Sequence, residues 1–95
     1  MTFTDALVLN NVNGNAPVSV KFSMDIYQWL GGARGAKLAE TWTQLVAAPG
    51  MTVTGTNSLT VTYTNWNGPN SCWTFEVARG MDDGAGPPQW FSVVY

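Results

Sequence analysis

The sequence predicts an α+β domain in which an antiparallel sheet of five to six short strands carries one helix over residues 36–48. Two observations favour this fold class. Apolar and polar residues alternate strictly from Pro17 to Tyr27, which is typical of a half-buried strand. Over residues 36–48, apolar residues instead recur at helical spacing. An all-β sandwich is the alternative architecture.

The first strand is predicted from Phe3 to Leu9. It is joined to the Pro17–Tyr27 strand through residues 10–15, a stretch of Asn and Gly that tolerates the positive φ of a chain reversal. We therefore expect the two strands to form an N-terminal hairpin.

The helix is predicted over residues 36–48 because a strand there would present no apolar face. As a helix, the segment gathers four large residues on one stripe, and Pro49 and Gly50 end it. That stripe, which we expect to face the sheet, consists of Leu38, Trp42, Leu45 and Val46.

Four further short strands complete a single domain that spans residues 1–95. Either side of the last strand could face the core, the one with Trp90 or the one with Phe91. The strands are predicted at Thr52–Thr54, Leu59–Thr64, Cys72–Ala78 and Trp90–Tyr95.

Composition favours a binding protein over an enzyme. The 95 residues include five tryptophans, more than so small a core readily buries, and no histidine. Without histidine, the chain lacks the commonest general base and zinc ligand, so we expect no catalysis, no metal and no cofactor. Four basic residues and a net charge of −2 exclude nucleic acid as a partner. The single cysteine, Cys72, is either a buried small side chain or a bridge between two chains.

The start of the chain has no signal-like pattern, and no apolar run reaches the length of a membrane span. We expect a cytoplasmic protein, or one released without a signal peptide.

The strongest candidate site is the loop that contains Trp66. An indole stacks on the C–H face of a sugar ring, and side-chain amides bind adjacent hydroxyls; galactose suits this chemistry because its axial O4 leaves a continuous C–H patch. The alternative is that Trp66 plugs the sheet edge while the asparagines serve the turn. The amides around it belong to Asn65, Asn67 and Asn70.

A second candidate loop, residues 79–88, places Asp82 and Asp83 shortly before Trp90. If it lies beside the first loop, its carboxylates accept hydrogen bonds from hydroxyls stacked on Trp66. The alternative is a solubilising turn. A calcium site would need more oxygen ligands than this loop supplies.

In size, scarcity of cysteine, absence of a signal segment and richness in Trp, Asn, Thr and Gly, the chain resembles the small cytosolic lectins of fungal fruiting bodies. The resemblance implies a sugar-binding protein. A weaker resemblance, in low charge and many aromatics, is to aegerolysin-type lipid-binding β-sandwiches.

We therefore expect a non-catalytic lectin that binds glycans or glycoconjugates and forms a homodimer. The expected ligand-binding residues are Asn65, Trp66, Asn67, Asn70, Asp82, Asp83 and Trp90. Two alternatives stay open: a membrane-lipid-binding protein, and an oligomeric subunit whose surface aromatics form a protein interface.

Overall fold

A computed structural model describes residues 2–61 and 75–95, apart from the side chain of Leu30. The described residues fold into β-strands and turns, with no helix among them. One antiparallel sheet pairs β1 with β4, and the other has the order β3-β2-β5-β6. The strands are β1 (Thr2–Asn10), β2 (Val18–Leu30), β3 (Ala33–Ala47), β4 (Thr52–Thr60), β5 (Phe75–Asp82) and β6 (Gln89–Val94).

The predicted helix over 36–48 is wrong, and the all-β alternative fits residues 2–61 and 75–95. Residues 36–47 of this segment lie in β3, which pairs with β2 from Leu30↔Ala33 to Val18↔Ala47. The cause is the Gly31-Gly32 turn, where both residues have positive φ (59° and 92°). A two-residue turn of this kind joins antiparallel strands directly. The segment therefore forms the second strand of a hairpin despite the helical spacing of its apolar residues.

A β-bulge explains why the apolar residues of β3 recur in the sequence at helical spacing. The register with β2 shifts between Ile26, which faces Ala39, and Tyr27, which faces Lys37. Leu38 is the extra residue, and it packs against the core beside Ala39. A bulge interrupts strict alternation, so the apolar pattern of this strand lost its period of two.

The predicted N-terminal hairpin is also wrong, although both of its strands exist. β1 pairs with β4 from Thr2↔Thr60 to Asn10↔Thr52, and the following turn carries the chain to the other sheet. The strand predicted at 52–54 and the start of the one predicted at 59–64 belong to a single strand, since β4 runs without a break from Thr52 to Thr60. Residues 62–64 lie outside the described residues.

The core lies between the two sheets. Alternate residues of β2 and β5 point toward the ribbon formed by β1 and β4, whose own inward residues include Phe3 and Leu59. Burial of these apolar side chains is the main source of stability in a small domain. The buried cluster consists of Met24, Ile26, Val61, Phe75 and Val77.

Within the part of the chain that the structure describes, no helix is long and apolar enough to span a membrane.

Candidate functional site

The candidate site lies on the face of the four-stranded sheet that points away from the ribbon, which we call the outer face. One row across this sheet joins Trp42 on β3, Ser23 on β2, Gly80 on β5 and Trp90 on β6. Three strand spacings separate the two tryptophans, so their Cα atoms stand about 14 Å apart. Both indoles are accessible, with 57% of Trp42 and 51% of Trp90 exposed.

Trp90 lies flat over its neighbour Gly80. A Cβ atom on Gly80 would stand 2.9 Å from the indole atoms Cδ2, Cε2 and Cε3. The glycine therefore lets the ring rest against the sheet with its other face toward solvent. This strand assignment also decides which side of β6 faces the ribbon: Phe91 and Val93 lie on the ribbon side, opposite Trp90.

Small and polar residues lie between the two indoles and form the floor of a groove of about 200 Å³. Its lining includes hydroxyls, carboxylates and an ammonium group. This surface, which we call the indole groove, is lined by Lys21, Ser23, Asp25, Glu40, Thr41, Trp42 and Trp90.

Contacts between charged side chains and their neighbours fix the positions of groups that line the groove. The Lys21 ammonium lies 4.9 Å from the centre of the Trp42 ring, a cation–π contact. The Lys37 ammonium lies 3.0 Å from Glu40 Oε2 and 3.7 Å from Asp25 Oδ2. The hydrogen bond to Glu40 and the nearby charge of Asp25 raise the pKa of Lys37. The groove therefore offers oriented donors and acceptors, which suits a ligand that carries several hydroxyl groups.

A second polar cluster continues the outer face beside Asp25. Glu76 is buried and accepts a hydrogen bond from Nε of Arg34, whose guanidinium also lies 4.0 Å from the Tyr27 ring centre. The bond from Arg34 holds the pKa of Glu76 below its ordinary value, and a bond from Ser92 lowers it further. This cluster ties β3, β5 and β6 together beneath an outer-face depression of about 270 Å³.

Asp82 and Asp83 shape the turn between β5 and β6. Asp82 Oδ1 accepts the amide N–H of Gly84 at 2.9 Å, and Asp83 Oδ1 accepts that of Ala85 at 3.0 Å. These side chain to backbone bonds are typical of aspartates that stabilise turns. Asp82 faces Lys21 across the sheet, so it borders the outer face two positions from Gly80.

The other predicted site residues, Asn65, Trp66, Asn67 and Asn70, lie outside the described residues, as does Cys72. Among the described site residues, Trp90 stands in the indole groove, whereas Asp82 and Asp83 adjoin its end.

Of the residues that line the indole groove, the sequence prediction named Trp90 alone, and Trp42 is the aromatic residue that it missed. Assigned to a helix, it was expected to point into the core. The local signal was Thr41-Trp42-Thr43, in which β-branched and aromatic residues favour a strand. In that strand Trp42 alternates with the inward-pointing Leu45, which is buried.

A larger cavity of about 400 Å³ opens between β1 of the ribbon and the four-stranded sheet. Arg79 and Asp5 meet there, with 2.7 Å between Nε and Oδ2, and this bond raises the pKa of Arg79. The two charges satisfy each other, and much of the remaining lining is apolar, including Phe22, Met81 and Phe91. Such a cavity suits apolar contacts rather than hydroxyl recognition.

No protein-family model and no curated protein matches this chain.

Proposed function

We propose that this protein is a non-catalytic carbohydrate-binding protein and that the indole groove is its glycan site. The observation that carries the proposal is the row Trp42, Ser23, Gly80 and Trp90, in which two exposed indoles flank a polar floor. Flat aromatic surfaces paired with hydroxyl-binding groups are what a sugar ring, apolar on one face and polar at its rim, requires.

In this proposal the two indoles bind different rings of one oligosaccharide. Trp90 is held flat against Gly80 and so presents a fixed platform, which lowers the entropy lost on binding. Trp42 is positioned by Lys21. The separation of about 14 Å between their Cα atoms exceeds the size of a single sugar ring and favours a chain of several units. Galactose remains the proposed component because its continuous C–H patch fits an indole.

Binding without catalysis is supported by the partners of the groove's carboxylates. Glycoside hydrolysis needs one carboxyl group to donate a proton and a second to act as nucleophile or base. Here Asp25 and Glu40 both contact the ammonium group of Lys37. In the proposal they act as hydrogen-bond acceptors that select hydroxyl positions.

The proposal is tested with a glycan array, followed by calorimetric titration of the best free oligosaccharide. We expect the array to identify a defined glycan set. In titration, Trp42→Ala should weaken binding about tenfold, which corresponds to about 1.4 kcal/mol. Phe91→Ala is the matched control, because Phe91 is 54% exposed and follows Trp90 on the opposite face of the same strand. It should retain the wild-type affinity.

Three outcomes would contradict the proposal. If the folded protein binds no glycan on the array, the lectin hypothesis is excluded. Sedimentation of the protein with lipid vesicles would then favour the membrane-lipid alternative. Equal losses in Trp42→Ala and Phe91→Ala would mean that the groove is not the site. If only Trp66→Ala loses glycan binding, the protein is a sugar binder but its site is the 65–70 loop.

A further inference from the structure

The outer edge of β6 has the features of a pairing surface. Among residues 2–61 and 75–95, no strand pairs with β6 on the side away from β5. All six of its residues are exposed. An exposed, apolar edge strand presents unpaired N–H and C=O groups to any second strand. Its sequence from Trp90 to Tyr95 contains no charged residue and no proline.

Two of the other edge strands, β1 and β3, carry features that discourage pairing. The edge strand β3 bears three charged side chains. On β1, Asp5 points inward to Arg79. Charges on edges, including inward-pointing ones, are the usual means by which proteins prevent strand addition. The charged residues of β3 are Arg34, Lys37 and Glu40. β6 therefore differs from these two strands in lacking such protection.

The hydrogen-bond pattern shows which groups of β6 point outward. The N–H of Tyr95 donates to the carbonyl of Phe75 at 2.9 Å. Hydrogen-bonded pairs recur at every second residue of an antiparallel ladder, so Phe91 and Val93 also direct their backbone groups toward β5. The intervening residues, Trp90, Ser92 and Val94, direct theirs toward the open edge.

From this edge we infer that the protein forms a homodimer in which β6 pairs antiparallel with β6 of a second copy, centred on Ser92. About this centre, Trp90 faces Val94 of the second copy, and every outward N–H meets an outward C=O. On the ribbon side, Phe91 faces Val93 of the second copy. Both contacts are aromatic to β-branched pairs, which stabilise neighbouring strands.

The exposed area and charge fit a second copy of this chain. Trp90, Phe91 and Tyr95 are each about half exposed. Together these three aromatics offer on the order of 300 Å² per chain. With Val93, Val94 and the backbone, the patch approaches the roughly 600 Å² per chain at the lower limit of specific interfaces. Because β6 is uncharged, two copies meet without repulsion.

The result would be a continuous eight-stranded sheet with both indole grooves on one face. Association does not require a glycan, so the dimer and the proposed function are tested separately.

The test is sedimentation velocity across a range of protein concentrations up to several hundred micromolar. Wild type should approach twice the 10.3 kDa of one chain. Val94→Lys should remain monomeric because it places a charge on each side of the new pair. Val46→Lys is the matched control, since Val46 is also an exposed valine on the outer face of an edge strand. It should dimerise like wild type.

A second variant addresses the backbone directly. Ser92→Pro removes one outward N–H and leaves the backbone bonds to β5 in place, although it also removes the side-chain bond to Glu76. It should fold and be monomeric. In the wild-type dimer, amide exchange at Trp90, Ser92 and Val94 should slow as concentration rises. A monomeric wild type would overturn the inference. So would a dimer that persists in both Val94→Lys and Ser92→Pro, because it would use another surface.

Discussion

Asn11 is the buried residue that connects the turns at one end of the two sheets. Its Nδ2 donates to the carbonyls of Ala16 and Ala47 at 2.9 and 3.0 Å. We expect Asn11→Ala to lower the free energy of unfolding by about 2 kcal/mol, because two carbonyls lose their partner. Asn10→Ala is the control, since Asn10 makes an exposed bond to Val12 and should cost about 0.5 kcal/mol. Urea unfolding of both variants measures the difference, and equal losses would contradict this role.

Gly80 controls the position of Trp90. A methyl group at this position would meet the indole at 2.9 Å, so in Gly80→Ala the ring must move. We expect the variant to fold and to bind glycan several-fold more weakly, as measured by calorimetry. Gly55→Ala is the control, because its methyl group would contact Leu45 between the sheets, away from the groove. If Gly80→Ala binds like wild type, Trp90 is not a stacking platform.

The sequence predicted Trp90 as a ligand-binding residue but could not choose its side of the sheet. Both faces of β6 are apolar in sequence, and only the packing of β5 against the ribbon decides between them. Trp42 was missed because its orientation depends on whether β3 is a strand. The prediction for Trp66 and its neighbouring asparagines stays a prediction.

At the scale of single elements, the Gly31-Gly32 turn determines the path of β2 and β3. Gly32 has a φ of 92°, which side chains with a Cβ rarely adopt. We expect Gly32→Ala to lower the free energy of unfolding by about 1 kcal/mol. Gly86→Ala should have little effect, because Gly86 has no positive φ and open space around it. Urea unfolding tests the pair, and a neutral Gly32→Ala would contradict the assignment of this turn.

Glu76 and Arg34 connect β5 to β3 across β2. The Arg34 hydrogen bond lowers the folded-state pKa of Glu76 from its ordinary 4.5. A lowered pKa stabilises the fold above the unfolded-state value, and that contribution is lost as pH falls through the folded-state pKa. We therefore expect the free energy of unfolding to decline below about pH 4.5. In Glu76→Gln this decline should be smaller than in wild type. Urea unfolding at several pH values measures the decline, and identical pH profiles for Glu76→Gln and wild type would contradict the contribution of Glu76.

Strand positions were predictable where alternation was regular. β1, β2 and β6 lie where the sequence indicated strands, and β5 overlaps its predicted segment. β4 joins two segments that the sequence had separated. β3 was not predicted because its bulge at Leu38 mixes the two faces. The pairing of the strands was harder to predict than their positions. β1 pairs with β4, which lies far along the chain, and no local pattern specifies a pairing of that range.

Across the whole molecule, the buried core and the proposed binding surface lie on opposite faces of the four-stranded sheet. The ribbon and the inner face bury the core, while the outer face keeps two indoles and a polar groove accessible. The outer face could not be predicted from sequence because it depends on the order β3-β2-β5-β6, which brings Trp42 and Trp90 into one row. Pairing of β6 with a second copy would repeat that groove within a single surface.

The most direct test of glycan binding in the indole groove is an NMR titration that follows the indole N–H signals. Each is assigned by its Trp→Phe variant, and lactose and a galactose-terminated oligosaccharide serve as probes. We predict that the Trp42 and Trp90 signals shift together, in proportion to saturation. The Trp29 signal, about 20 Å along β2 from Ser23, should stay in place. Shifts of the Trp66 signal alone, or no shift with either probe, would contradict the account.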